Sequence, residues 1–479
     1  MEPGRLILPA LRWQEGTGFS HEARLIDQAL DFGAGGFIIF GGSADDVRAL
    51  TTELTERALR LPGPRASRRL LFAADLERGA GQQFAGLTEL PPPAALASLD
   101  DPGVIAWAAD TTAVEARSIG IQWVLGPVAD LDAEPRNPIV QTRSFGDDPG
   151  RVAANVRSWV EACLRGGGLT CAKHWPGHGR TTVDSHDGVP VVAASEIELQ
   201  RDLAPFRAAI EARVSSVMTG HVAFPALDPT GTPATFSAPT ISKLRYGFGF
   251  EGPIVTDALM MGGATSSGSG DPAVRALAAG CDILLYPADP AASCRAIVDA
   301  VERGDLSAAR IEESIARFHS MVANVEHGEL VPTPFPDPSA MARQIAVHTL
   351  APGRNGPTGP PAPPFELVVV DDDLGGRWPV GPTDAVERHL QQVGTPLGPG
   401  GTRIVLAFAE PRASKGRAGF GPASHARLAE VAPGADLVIL FGHPRLVAEV
   451  PGSAPVLIAW HRQQLMQVAA ARWLVERVG

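Results

Sequence analysis

The chain has 479 residues, of which 44% are hydrophobic and 20% are charged, as in globular proteins with sizeable cores. The length suggests two or three domains, and the net charge of −12 argues against a nucleic-acid partner. The N-terminus lacks a signal-peptide apolar region, no segment approaches the ~20 apolar residues that span a bilayer, and the four cysteines lack zinc or redox spacing, so we expect a cytoplasmic protein with no membrane partner.

Eight short apolar runs recur through the first two thirds of the chain. They occupy residues 5–9, 35–40, 70–75, 121–127, 169–174, 215–221, 253–259 and 281–287. The amphipathic stretches between them include 45–60, 102–118, 149–165 and 196–212. Buried strands that alternate with helices are typical of βα units and a parallel sheet. Eight such units predict an α/β fold with a (β/α)8 TIM-type barrel over residues 1–335.

The composition changes near residue 330, where proline and glycine become frequent. Residues 336–364 are predicted to form a helix and a Pro/Gly-rich linker. Apolar runs then return at 366–373, 403–411, 436–442 and 455–461, with helix-like stretches between them and a helical pattern over 463–478. The sequence therefore predicts a smaller open α/β domain over residues 365–479.

Polar residues stand at the ends of five of the eight predicted barrel strands. They are Asp75, Asp130 with Arg143 further along its loop, Lys173 with His174, His221, and Asp257. In a parallel barrel these ends share one face, and active sites are built there. A polar cap on a loop would explain any one of them. Five strands with the same feature favour a functional site at the C-terminal mouth of the barrel.

The densest polar segment is KHWPGHGRTTVDSH, residues 173–186, which two glycines and a proline mark as a loop. Asp184 and His186 are two residues apart, so the carboxylate can orient and charge the imidazole. A pair of this type is a general acid/base. Asp257, at the end of the seventh run, supplies the second group that a retaining glycosidase requires.

Zinc binding is the alternative for this segment, because His174, His178 and His186 together with Asp184 are ordinary zinc ligands. The sequence Trp-Pro-Gly separates His174 from His178, so the two rings do not share a helical face as the histidines of an HExxH motif do. We therefore predict neither a metal nor another cofactor.

Residues 173–186 resemble the signature loop KH-x-PGHG-x4-DSH of the bacterial β-N-acetylglucosaminidases of glycoside hydrolase family 3. Three further segments resemble motifs of that family: NPIVQTRSFGDDP at 137–149, MTGHVAFPALDPTGTPATFS at 218–237 and IVTDALMMGG at 254–263. The likeness covers roughly residues 5–330. The distal domain looks like the second domain of the two-domain members.

The resemblance implies roles for the matching residues. Asp257 is expected to be the nucleophile, and His186 the acid/base with Asp184 as its partner. Charged and polar side chains suit a polyhydroxylated ligand. The residues expected to hold the terminal sugar are Asp75, Arg143, Lys173 and His174, with His221 as a further substrate-binding candidate.

One segment departs from the family pattern D-x-E-GG-x-V-x-R. Here it is DLERGAGQQF, in which Asp75 and Glu77 remain, Arg78 replaces a glycine, and Gln83 replaces the arginine that commonly binds the sugar. Gln83 can form a hydrogen bond in the substrate site but carries no charge. This departure leaves the sugar preference open. Arg78 is a candidate to compensate for the missing arginine at position 83.

The resemblance implies a retaining exo-β-N-acetylglucosaminidase that releases terminal GlcNAc, with cell-wall muropeptide fragments as its substrates. Its partner is then a small carbohydrate; a homodimer is left open. One alternative is a β-N-acetylglucosaminide phosphorylase or a β-hexosidase of other sugar specificity. A second is a non-catalytic carbohydrate-binding protein. Phosphate dependence distinguishes the phosphorylase from the hydrolase, and sugar binding without turnover identifies the binding protein.

Overall fold

The computed structural model describes residues 2–61, 69–326, 337–372, 380–412 and 415–475. Every apolar run predicted in the first part of the chain contains a strand, and one further strand, which was not predicted, follows the first run directly after Pro9. The strands are β1 Ile7–Leu8, β2 Ala10–Arg12, β3 Gly36–Phe40, β4 Leu71–Ala74, β5 Trp123–Val124, β6 Leu169–Trp175, β7 Ser216–Thr219, β8 Ile254–Thr256 and β9 Leu284–Leu285.

These strands form a closed parallel barrel. Strands β2 to β8 form a seven-stranded sheet in sequence order, and β1 pairs with β9. A parallel bridge between Val255 and Ile283 joins β8 to the start of β9. Because β1 and β2 are separated only by Pro9, the pairing of β1 with β9 closes the ring. The backbones pack so closely that a Cβ atom at Gly36 would stand 1.7 Å from the Leu71 carbonyl oxygen, which explains the glycine at that position. The prediction of a (β/α)8 barrel is confirmed.

The barrel helices begin at short polar signals in the sequence. Asp101, Asp148, Asp271 and Asp289 each cap a helix that starts with proline, and each carboxylate accepts a backbone N–H of the first turn. The helices are α1 Ala23–Phe32, α2 Ala44–Arg60, α3 Pro93–Ser98, α4 Pro102–Ser118, α5 Pro149–Arg165, α6 Glu196–Glu211, α7 Ala238–Ser242, α8 Gly262–Thr265, α9 Pro272–Ala279, α10 Pro290–Glu302 and α11 Ala308–Glu326.

A second sheet follows in the C-terminal part of the chain. Its strands are β10 Ala351–Pro352, β11 Phe365–Asp371, β12 Thr402–Ala409, β13 Leu437–Gly442 and β14 Val456–Ile458, in the order β10-β14-β13-β12-β11. Strands β11 to β14 are parallel, and β10 is antiparallel to β14. Its helices are α12 Pro338–Thr349, α13 Ala385–Gln392, α14 Pro422–Val431 and α15 Gln464–Val475.

The four predicted strands of this sheet are present, whereas β10 was not predicted. β10 is two residues long and lies in the segment interpreted as a linker, so it has no apolar run to reveal it. Residue 336, where that segment was predicted to begin, residue 373 of the predicted first strand and residues 476–478 of the predicted last helix lie outside the described residues. The boundaries of the two domains stay a prediction.

The two sheets share an apolar core and polar contacts. Ile458, Trp460 and Met466 belong to the same cluster of buried side chains as the barrel strands. Gln463 donates to the Leu90 carbonyl oxygen at 2.7 Å, and Arg445 pairs with Asp132. Among the described helices, none is long and apolar enough to cross a membrane.

Candidate active site

The polar residues predicted at the strand ends come together at the C-terminal mouth of the barrel. Asp75 directly follows β4, and Asp257 directly follows β8. Lys173 and His174 lie near the C-terminal end of β6. They line a cleft of about 310 Å³. Its wall also includes three further residues from the predicted set: Gln83, Arg143 and His186.

One wall of the cleft is a buried network of charges. Lys173 Nζ lies 2.7 Å from Asp75 Oδ1 and 2.7 Å from Glu77 Oε1. Arg143 donates to both oxygens of Glu77, at 2.9 and 2.8 Å. Burial raises the pKa of Glu77, but the charges of Arg143 and Lys173 hold it well below its usual range. The ionised Glu77 therefore holds Lys173 and Arg143 beside the cleft. This role was not predicted from the sequence.

A second buried carboxylate orients His174. Asp130 Oδ2 lies 2.7 Å from His174 Nδ1, and its Oδ1 accepts the backbone N–H groups of His174 and His178. Burial raises the pKa of Asp130, and the neighbouring His174 charge and hydrogen bonds bring it below the ordinary value. The position of Asp130 at a strand end was predicted. Its function as the acceptor for His174 and His178 was not predicted, because it depends on which residues the fold brings close to it.

The Asp184–His186 pair has the geometry of a carboxylate-oriented base. Asp184 Oδ1 accepts the backbone N–H of His186 at 2.9 Å and lies 2.7 Å from its Nδ1. Asp184 is fully buried, whereas the His186 side chain is 34% exposed and lines the cleft. Burial lowers the pKa of His186, but the hydrogen bond and charge of Asp184 raise it above the ordinary value. With Nδ1 facing Asp184, Nε2 is the atom available for proton transfer.

The loop that carries this pair is anchored by a buried histidine. His178 Nε2 lies 2.9 Å from Ser185 Oγ, and its Nδ1 lies 2.7 Å from Thr181 Oγ1. Burial lowers the pKa of His178 to about 4, so the ring is neutral. The three histidines of the zinc alternative each face a separate partner. Over the described ranges, no group of three His, Cys, Asp or Glu residues is arranged to hold a metal ion.

Asp257 lies opposite this loop as an ionised carboxylate. Its Oδ1 accepts the backbone N–H of Ala258 at 2.7 Å, and its own N–H donates to the Thr219 carbonyl oxygen. Burial raises the pKa of Asp257, but the charges of the surrounding histidines, His174 first, lower it to about 2. The group is therefore charged throughout the neutral pH range and suited to nucleophilic attack.

His221 lies behind Asp257. Its ring is fully buried, with Nδ1 at 2.8 Å from Thr235 Oγ1 and Nε2 at 3.1 Å from the Ala258 carbonyl oxygen. It stacks on Phe236 with an interplanar angle of 5°. His221 therefore contacts the backbone next to Asp257 and is not among the residues that line the cleft. Direct substrate binding by His221 stays a prediction.

Residues of the C-terminal part also reach the cleft. Glu410 directly follows β12 and His461 lies beyond β14, and both line the cleft. Arg78, from the segment that departs from the family pattern, lies beside them. No functional residue was predicted in the C-terminal part. The rule that polar residues at strand ends mark a site would have found Glu410 had it been applied there.

The sequence is similar to those of known glycoside hydrolases. The sequence model described as "Glycosyl hydrolase family 3 N terminal domain" matches residues 19–321. A β-hexosaminidase of Chromobacterium violaceum is 37% identical over 276 residues, which are 53% of this chain and 72% of that protein. A protein of Cellulomonas fimi named β-N-acetylglucosaminidase/β-glucosidase is 31% identical, over 72% of this chain and 64% of its own.

A solved structure matches the whole length of the chain. It is the family 3 β-N-acetylglucosaminidase of Paenibacillus sp., with a TM-score of 0.85 and 25% sequence identity, and the match covers 100% of this chain and 96% of that one. The match therefore includes the second sheet as well as the barrel. The chain belongs to glycoside hydrolase family 3.

Proposed function

We propose that the protein is a retaining exo-β-N-acetylglucosaminidase that releases terminal GlcNAc. The observation that carries the proposal is the cleft between an ionised Asp257 and a His186 held by Asp184. The buried donors and acceptors on the adjoining wall suit the hydroxyl groups of a sugar. The names of the relatives, β-hexosaminidase and β-N-acetylglucosaminidase, support the choice of sugar.

The proposed reaction has two steps. Asp257 attacks the anomeric carbon, the bond from that carbon to the leaving oxygen breaks, and the proton on His186 Nε2 passes to the leaving oxygen. In the second step neutral His186 takes a proton from water, and the hydroxide formed displaces Asp257 from the sugar. Asp184 stays ionised throughout and stabilises the protonated imidazole. Apart from the substrate and water, neither step needs a group from outside the chain.

The source of the substrate is a further part of the proposal. The likeness of residues 173–186 to the bacterial subfamily supports muropeptide fragments of the cell wall as substrates and the cytoplasm as the place of action. Residues of the C-terminal part line the cleft together with those of the barrel, and this enclosure supports release of a single terminal sugar.

Turnover of p-nitrophenyl β-N-acetylglucosaminide beside the matching β-glucoside tests the proposal. We expect faster hydrolysis of the N-acetyl substrate, no acceleration by phosphate, and no loss of activity with EDTA. Asp257→Asn serves as the control for contaminating enzymes and should lose nearly all turnover. Release of a sugar 1-phosphate would identify a phosphorylase instead, and a preference for the β-glucoside would replace the proposed sugar.

A further inference from the structure

The second sheet presents the C-terminal ends of its strands to the mouth of the barrel. Glu410 is the first residue after β12, and His461 follows β14 by three residues. Glu410, Pro411, Arg412 and His461 line the same cleft as Asp257. Two sets of parallel strand ends therefore face each other across one cavity, and the strand end is where both barrels and open α/β sheets bind ligands.

Three of the residues at this meeting point form what we call the Glu410 cluster: Arg78, Glu410 and His461. His461 Nε2 lies 2.9 Å from Glu410 Oε2, and Arg78 Nη1 lies 3.3 Å from His461 Nδ1. Arg78 Nη1 also donates to Gln463 Oε1 at 2.7 Å. The side chains of Glu410 and His461 are each only 10% exposed.

The hydrogen bonds fix the charge state of the cluster. His461 Nδ1 accepts the backbone N–H of Gln463 at 3.1 Å, so its Nε2 carries the proton that faces Glu410. Burial lowers the pKa of His461, which keeps this ring neutral. Burial raises the pKa of Glu410, but His461 and Arg78 bring it down to about 2. The cleft wall therefore holds an ionised carboxylate, and such a group can accept hydrogen bonds from several donors at once.

The charges that act most strongly on the cluster differ from those that act on Asp257. The charges that act most strongly on Asp257 are those of three histidines, His174, His221 and His186. The charges that act on Arg78 are instead those of Glu410, Glu89, Glu77 and Arg143. A hexose whose anomeric carbon meets Asp257 has hydroxyl groups remote from that carbon, and the Glu410 cluster lines the same cleft.

We propose that the Glu410 cluster binds the hydroxyl groups of the terminal sugar that are remote from the anomeric carbon, and that it thereby selects the hexose. The inference rests on the proposed hydrolysis of β-linked hexosaminides. Gln83 carries no charge where the family pattern has an arginine, whereas Arg78 and Glu410 bring two charged groups to the same cleft. The C-terminal part is then a component of the sugar site and not only a support for the barrel.

An ion-pair cluster between the two sheets could also serve stability alone. The two roles make different predictions, because loss of stability lowers activity toward all sugars, whereas loss of a sugar contact changes their ratio. The 4-hydroxyl group offers the sharpest probe, since it is equatorial in N-acetylglucosamine and axial in N-acetylgalactosamine. A site built around a hydrogen bond to this group discriminates between the two epimers.

The test compares kcat/KM for the p-nitrophenyl β-N-acetylglucosaminide and β-N-acetylgalactosaminide in the full-length protein and its variants. Glu410→Gln keeps the side-chain shape and removes the charge, and His461→Asn is the second variant in case the first does not fold. We expect the ratio of the two kcat/KM values to fall by about tenfold in each, through a rise in KM for the N-acetylglucosaminide.

Arg445→Gln is the matched control, because it removes another contact between the two sheets, with Asp132 and the Glu134 carbonyl oxygen. It should leave the ratio unchanged even if the melting temperature falls. Equal losses for both epimers in Glu410→Gln and His461→Asn, or no change, would overturn the inference. A wild-type protein that cleaves neither sugar would instead refute the proposed function, so the two failures are distinguishable.

Discussion

At the residue scale, Asp257 and His186 lie in surroundings that shift their pKa values in opposite directions. Asp257 is surrounded by histidines and has a pKa of about 2, whereas the partner carboxylate of Asp184 raises the pKa of His186. One group is thus an anion at neutral pH, and the other keeps its proton to a higher pH than an ordinary histidine. Pairs of titratable groups whose environments separate their pKa values are the pattern expected of an acid and a nucleophile.

The pH dependence of kcat/KM should report His186. The ionised Asp257 gives no acidic limb near neutrality, since its pKa is about 2. In the proposed mechanism His186 must be protonated to donate to the leaving oxygen, and its pKa is raised. We expect kcat/KM for a substrate with a poor leaving group to persist above the ordinary histidine pKa and then to fall as the pH rises through the raised value.

The variant His186→Ala should lack this alkaline limb. Its loss of activity should be large for a poor leaving group, because protonation contributes about 10²–10⁴-fold to such steps. Activated p-nitrophenyl substrates serve as the control, since they need little protonation. Equal losses for both leaving groups, or an unchanged alkaline limb in the variant, would show that another residue is the acid.

At the scale of elements, the site depends on the link between β5 and β6. The loop after β5 places Asp130 where it accepts hydrogen bonds from His174 on β6 and from His178 beyond it. The backbone N–H of Glu134, on the same loop, donates to the Gly179 carbonyl oxygen. The part of the loop from His174 to Gly179 is therefore held by the neighbouring loop of the barrel.

Replacing Asp130 with alanine should destabilise the protein strongly. The change leaves the buried His174 ring and two backbone N–H groups without their acceptor, and breaking a buried charged pair of this kind costs about 3–5 kcal/mol. Urea unfolding gives the free energy of unfolding for comparison. Asp148→Ala, which removes only the N-cap of α5, should cost about 1 kcal/mol. A loss for Asp130→Ala no greater than that of the cap variant would contradict this account.

The strands and strand-end residues could be predicted because each depends on local pattern. Apolar runs of four to eight residues gave the barrel strands, and Asp-Pro pairs marked several helix starts. The roles of Glu77 and His178 could not be predicted, because each depends on partners distant in the sequence. Lys173 meets Glu77 only when β4 and β6 are placed around the same barrel.

At the scale of the whole molecule, the second sheet is part of the cleft. The family sequence model ends at residue 321 and therefore does not include Glu410 or His461. Sequence patterns predicted the second sheet but not its orientation, which follows from long-range packing of Trp460 and Met466 against the barrel core. The strand ends of both units consequently meet at one site.

The proposed mechanism requires a covalent bond between Asp257 and the sugar, and a mass measurement detects such a bond. The protein is incubated with an activated fluorinated N-acetylglucosaminide whose glycosyl-enzyme intermediate hydrolyses slowly, and its intact mass and peptide masses are then recorded. The account predicts a gain of one sugar residue on the peptide that contains Asp257, and no gain in Asp257→Asn. Continued turnover without an adduct, or an adduct on another residue, would contradict it.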